Sequence, residues 1–200
     1  MKLSLNNYKK ITFFLGFLIG ISAYLSYFLS IKLKEFGIEI PFYIEIPISA
    51  PAIYYILFEL FNNYFWKIPV FKWLKIIDFD NLNGVWKGSI RSSYDNYKTD
   101  IPAELTIKQN ATSIKVRGKF NQSKSISLHE DFCYSEIDQT TALFYFYRNE
   151  PDYNAINTMS IHEGSVKLNY NKSSNSITGS YYSDRDRNNN GTINVKKTIE

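Results

Sequence analysis

The sequence predicts a membrane-anchored all-β protein: two N-terminal transmembrane helices followed by an eight-stranded antiparallel up-and-down β-barrel. Two observations set this class. Up to about Ile77 the chain is dominated by Ile, Leu, Phe and Tyr in long apolar runs. Beyond it the hydrophobic pattern changes to a period of two, broken by turns rich in Asn, Ser and Asp. Charge respects the same boundary, giving regions 1–77 and 78–200. The 200 residues hold 23 Lys+Arg and 19 Asp+Glu; residues 1–77 contribute eight lysines and four glutamates, leaving 15 of each sign for the remainder. The net charge of +4 therefore belongs to the apolar region. The polar region is neutral as a whole, which excludes a generally basic domain binding long DNA or RNA. Cys133 is the only cysteine. No intrachain disulfide can form, and a lone thiol suits a reducing compartment.

The first span, Ile11 to Ile31, is 21 residues without a charge, preceded by Lys9 and Lys10 and followed by Lys32 and Lys34. At ~1.5 Å rise per residue it crosses a ~30 Å hydrocarbon core. It is longer than the ~7–15 residues of a signal-peptide core, and no small-x-small cleavage site follows, so it reads as a retained helix. The second span, 46–66, carries Pro47, Pro51 and Glu59. Prolines near a helix start are tolerated, and Tyr54, Tyr55, Tyr64 and Trp66 suit the interfaces. Glu59 reads either as an acid near the headgroups or as a polar contact between protomers. Lysines flank the spans three, two and three: Lys2, Lys9 and Lys10; Lys32 and Lys34; Lys67, Lys72 and Lys75. The positive-inside rule then places both termini in the cytoplasm.

Alternation marks eight strands near 84–94, 101–109, 112–121, 124–137, 140–148, 156–170, 175–184 and 190–198. Between them lie turn sequences such as Asp95-Asn96, Asn121-Gln122, Asp138-Gln139, Pro151-Asp152 and Asn189-Asn190-Gly191. Closing eight hairpin-linked strands into a barrel removes exposed edges; a two-sheet sandwich is the alternative. The opening strand begins Gly84-Val85-Trp86, and in lipocalin-like barrels a Gly-x-Trp sets the tryptophan across one end. By parity Trp86, Gly88 and Ile90 share one face, and Lys87, Ser89 and Arg91 the other.

Catalytic chemistry is poorly supported. His129 and His162 lie in strand-like runs and read as outward-facing polar residues. Neither zinc-ligand spacing nor a nucleophile motif, phosphate loop or carboxylate pair is present. The expectation is a non-enzyme without cofactor or metal. Four Asn-x-Ser/Thr sequons read as Asn-rich turns rather than glycosylation sites. From Asp186 the run Asp-Arg-Asn-Asn-Asn-Gly-Thr-Ile matches part of a calcium loop, but its twelfth position is Lys197 and strands flank it. It reads instead as a hairpin turn in which Gly191 supplies positive φ. From composition, the stretch leading into that turn, Tyr181 to Arg187, reads as a solvated hairpin whose Asp184, Arg185, Asp186 and Arg187 charges pair with one another. The alternative is a group of tyrosines and arginines that binds phosphate and stacks on a base.

The whole chain resembles the two-transmembrane, β-strand-rich effectors of bacterial CBASS anti-phage operons, the SMODS-associating barrel family. The resemblance rests on two spans followed by Leu82-Asn-Gly-Val-Trp-Lys-Gly88, His162-Glu-Gly-Ser-Val-Lys-Leu168, Ile177-Thr-Gly-Ser-Tyr-Tyr-Ser-Asp-Arg185 and Gly191-Thr-Ile193, in that order. It implies a cytoplasmic barrel that binds a cyclic dinucleotide or related cyclic oligonucleotide made by a partner nucleotidyltransferase. Binding would promote homo-oligomerisation and disruption of the inner membrane. Trp86, Arg91, Tyr181, Tyr182, Arg185 and Arg187 offer stacking and phosphate-binding groups and are nominated as ligand contacts, although strand parity prevents all of them facing one way. The competing expectation is a membrane-anchored lipocalin-like carrier of a small apolar ligand.

Overall fold

The computed structural model describes residues 8–37, 48–135, 140–185 and 187–198. The start of the expected second span, the Asp138-Gln139 turn and Asp186 lie outside the described residues. The chain separates into two compact units. One comprises 1–78 with 110–112; the other comprises 79–109 and 113–200.

In the first unit, helix α1 (Tyr8–Glu35) contains the whole of the expected first span. Helix α2 (Ala50–Asn63) is shorter than the expected second one: 14 residues, with Pro51 in its first turn, or ~21 Å at ~1.5 Å per residue. It stops because Tyr64 leaves the helical region, at φ −124°. A 3₁₀ turn (Phe65–Lys67) and a short helix α3 (Pro69–Trp73) follow. The packed seam uses Ile11, Leu18 and Ser22 of α1 and Ile53 and Phe61 of α2. Ser22 Oγ satisfies itself by donating to the Leu18 carbonyl at 2.7 Å. Phe14 meets Phe61 at 4.6 Å between ring centroids, and Phe71 lies edge-on to both at 5.6 and 5.0 Å. The start of α1 is thereby fixed against the end of α2, so the pair is antiparallel. Glu59 accepts a hydrogen bond from the Asn63 amide one turn on, at 2.8 Å.

The second unit is a closed barrel in chain order, β1 (Gly84–Ser92), β2 (Ile101–Gln109), β3 (Ile114–Phe120), β4 (Ser123–Ser135), β5 (Thr140–Pro151), β6 (His162–Asn171), β7 (Ser176–Ser183) and β8 (Asn190–Lys197). All pairs are antiparallel, and β1 closes the ring on β8 from Trp86 opposite Lys197 to Ser92 opposite Gly191. The sandwich alternative is thus excluded. The expected sixth strand began at Ile156. Residues 153–158 instead form a 3₁₀ turn and a following turn, anchored by buried Ala155 and by the Asp152 amide donating to the Gln122 carbonyl at 2.8 Å. A bulge at Ser127/His129 shifts the register of β4.

Inward side chains change character along the barrel axis. One end is filled by Trp86, Leu105, Ile107, Leu168, Ile177 and Val195, each at most 1% exposed, and a space of only about 10 Å³ remains there. Trp86 is 0% exposed, donates Nε1–H to the Leu82 carbonyl at 2.9 Å and meets the Tyr170 ring edge-on at 5.8 Å. The chain entering β1 seals this end. Gln109 clamps it, accepting from the Leu82 amide at 2.7 Å and donating to the Asp80 carbonyl at 3.1 Å. Replacing Trp86 by alanine removes the largest side chain of this core. Trp86→Ala should cost roughly 3–5 kcal/mol, read as a lowered denaturation midpoint by circular dichroism of the solubilised full chain, with Trp86→Phe losing much less.

Candidate functional site

Toward the other end the inward positions become small or polar: Ser92 on β1, Ser123 and Ser125 on β4, Asn149 on β5 and Ser183 on β7. Less interior is filled, and a cavity of about 510 Å³ opens there. Its deep wall is Ile90, Phe120, Tyr145, Tyr147, Val166 and Ile193. Its rim comes from four connections, with Asp95 and Thr99 between β1 and β2, Gln122 between β3 and β4, Met159 between β5 and β6, and Arg187 between β7 and β8.

Two glycines set the cavity wall. A Cβ on Gly164 would stand 2.1 Å from the Tyr182 carbonyl and 2.6 Å from the Tyr147 hydroxyl; one on Gly191 would meet the Arg91 carbonyl at 2.2 Å and the Tyr181 ring at 2.3 Å. Tyr147 and Tyr181 therefore lie over backbone that only glycine can supply. This corrects the expected role of Gly191. Positive φ in the β7–β8 connection is carried by Asn188, at 48°, while Gly191 lies within β8 and serves close packing.

The nominated residues divide. Tyr181 and Arg187 line the cavity. Trp86 does not, being sealed in the opposite end of the barrel. Arg91 points outward, as its parity requires, and forms a bidentate ion pair with Asp100, Nε to Oδ1 at 2.8 Å and a terminal nitrogen to Oδ2 at 2.9 Å. Tyr182 is 57% exposed on the face opposite Tyr181, and Arg185 is exposed in the loop outside the lining. The six therefore do not form one site. His162 is a second correction. It shares the inward face with Val166 and Leu168 and lines the cavity, a signal already present in the alternation His162-x-Gly164-x-Val166-x-Leu168. The sequence reading also missed Tyr145, Tyr147 and Asn149. They share a face with buried Leu143, so the parity of TALFYFY was there to be used.

Protonation states follow from burial. Burial raises the pKa of the Tyr145 and Tyr147 hydroxyls well above their ordinary value, and with Tyr147 the neighbouring Tyr181 adds to the effect. Burial raises Tyr181 too, against a hydrogen bond with Ser92. All three remain hydrogen-bond donors at physiological pH. Burial lowers the pKa of His162. Its Nδ1 lies 3.0 Å from the Ser160 carbonyl, and a carbonyl only accepts, so Nδ1 carries the proton. In the neutral ring Nε2 is then an acceptor.

Arg187 is the one Lys or Arg side chain on the lining among the described residues, and Asp184 builds its loop. The Asp184 carboxylate accepts from the Glu163 amide at 3.0 Å and the Arg187 amide at 3.3 Å; its carbonyl accepts from the Asn188 amide at 2.8 Å. The neighbouring connection is tied to it by the Asn190 amide donating to Ser93 Oγ at 3.0 Å and by Tyr97 hydrogen-bonding the Asn190 side chain.

Two family descriptions match the chain. "Cap15, cyclic dinucleotide receptor domain" covers residues 77–197, and "Cap15, TM helices" covers 9–67. The chain belongs to the Cap15 family. Its N-terminal helices are accordingly transmembrane and anchor it, and the barrel is the cyclic dinucleotide receptor of a CBASS membrane effector. A comparison with curated proteins returned no match. In this Cap15 receptor domain the cavity is far larger than the space at the Trp86 end, and its mouth carries the arginine.

The backbone amide of Glu163, first, and that of Arg187 hold the Asp184 carboxyl below its ordinary range. Its folded-state pKa is depressed, so its support of the loop is present above ~4 and is lost as pH falls through the folded value. Amide hydrogen exchange should show this. Glu163 and Arg187 should be protected at neutral pH, after correction for intrinsic rates, and lose protection in acid. Asp184→Ala should leave both unprotected throughout.

Proposed function

We propose that the chain is a bacterial anti-phage effector switched on by a cyclic dinucleotide bound inside the open end of its own barrel. One observation carries the placement: a cavity of about 510 Å³ whose lining joins a guanidinium to tyrosine hydroxyls and small polar side chains. Its size falls within the ~300–1,000 Å³ of small-ligand sites. Arg187 takes a phosphate through charge-assisted hydrogen bonds. Tyr147 and Tyr181 donate to phosphate or ribose oxygens and offer ring faces to a base. His162 Nε2 accepts from a base N–H. None of these groups needs to turn anything over, and the role is receptor rather than catalyst. An apolar carrier would call for an aliphatic lining, and the serines, Asn149 and Arg187 weigh against it.

The nucleotide is supplied by a partner nucleotidyltransferase, and its binding promotes self-association of the barrels. Self-association gathers transmembrane hairpins in one patch of membrane, where linked weak contacts multiply, and the inner membrane is disrupted. The lysine distribution supports both termini and the barrel in the cytoplasm. Lys9, Lys10, Lys67, Lys72 and Lys75 gather at one end of the antiparallel helix pair. Lys32 at the other end is paired with Glu35 at 2.6 Å.

Calorimetry against a panel of cyclic dinucleotides tests the site. A hydrogen bond to a charged group is worth ~1.5–3 kcal/mol, so Arg187→Ala should weaken binding by about 10–100-fold. Arg91→Ala and Arg185→Ala should bind as the unaltered chain does; equal losses in all three would move the site off the cavity. The effector step is tested separately. Cells making the full chain and its nucleotide should lose membrane potential, and Arg187→Ala should protect them.

A further inference from the structure

Residues 68–76 fall between the two segments that the family descriptions cover, yet they belong to an unusual surface. From Leu60 to Ile77 the chain contains Lys67, Lys72 and Lys75 and no acid. Around the 3₁₀ turn and α3, Trp66, Ile76 and Ile77 are buried. Phe71 holds the segment to the helix pair through its ring contacts with Phe14 and Phe61, and its carbonyl accepts from the Ile76 amide at 2.9 Å. The intervening apolar side chains turn out. Trp73 is 79% exposed and Tyr64 66%, with Phe65, Ile68, Val70 and Leu74 exposed beside them. A contiguous apolar strip of this kind marks an interaction surface. Lys67, Lys72 and Lys75 are exposed along it, and Lys67 Nζ also lies 6.0 Å from the Trp66 ring centroid.

We propose that residues 64–75 are a membrane-surface anchor that binds anionic phospholipid headgroups. The strip continues directly from the lipid-facing helix α2, so its apolar side chains are at the boundary where Trp and Tyr partition. The phenylalanine contacts bring the start of α1, with Lys9 and Lys10, to the same end. Five lysines therefore gather there, and each basic residue near an anionic leaflet contributes to attraction. Aromatic and aliphatic side chains enter the headgroup region, and the lysines pair with lipid phosphates above them.

The test uses the full chain in phosphatidylcholine vesicles with or without phosphatidylglycerol. An environment-sensitive fluorophore is attached at Trp73→Cys in a Cys133→Ser background, with Leu74→Cys as a second probe site. Tyr153→Cys, on the barrel, is the water-exposed reference. Aqueous iodide should quench the probes at 73 and 74 several-fold less than at 153, and lipid spin-labelled near its headgroup should quench them strongly. Spin-labelled phosphatidylglycerol should quench more than labelled phosphatidylcholine, and Lys9→Gln/Lys10→Gln/Lys67→Gln/Lys72→Gln/Lys75→Gln should abolish the difference. Iodide quenching equal to that at 153 would overturn the anchor. Shielding from both iodide and lipid would also overturn it, pointing to a protein contact. Lipid selectivity that survives the glutamine variant would overturn the headgroup assignment.

Discussion

Closure of β1 onto β8 is the constraint on which the receptor unit depends. Seven aligned positions from Trp86 to Ser92 join the ends of the strand series, and with that seam made every strand has two neighbours and no edge is left to recruit another chain. Closure also turns alternation into a division between inside and outside. Without it Trp86 would be one residue on a sheet face; with it Trp86 is the floor of a vessel. The gradient from Leu, Ile and Val at one end to Ser and Asn at the other then decides where the vessel is solid and where it is hollow.

Much of this was legible in the residues. A period-two pattern with turn punctuation is a backbone-level signal, and it located all eight strands and their up-and-down order. The Gly-x-Trp placed Trp86 correctly across one end. What sequence could not resolve was the choice among polar groups. Arg91 and Arg187 are chemically identical, and only the register that pairs β1 with β2 and sets Asp100 beside Arg91 commits the first to an exterior ion pair. In the β7–β8 connection strand parity no longer applies, so Arg185 and Arg187 were indistinguishable until Asp184 was seen to fold the loop. His162 was misread for a different reason. Polarity marks the outside only of a filled barrel, whereas a barrel with a hollow end has polar residues on both faces.

The membrane unit follows a different logic. Its apolar stretches were long enough to announce themselves, but the second helix ends at Tyr64, earlier than hydropathy alone suggests. The cause is local. Chain direction changes at a residue with φ −124°, and Pro69 opens a new short helix. Hydropathy averages over the break at Tyr64 and carries the span on to residue 66. Ring contacts among Phe14, Phe61 and Phe71 are what orient the pair, and no window-based measure contains them.

The separation of wall from rim in the receptor uncouples the shape of the mouth from the closure of the barrel. The residues that keep the barrel closed lie in the strands. Arg187, Asp95, Gln122 and Met159 sit on four separate connections, where substitution and changes of length disturb no strand register. Changes in these loops can therefore reshape the cavity mouth while leaving the strand framework intact. The floor formed by Trp86, fully buried among large side chains, tolerates change least, and the rim tolerates it most.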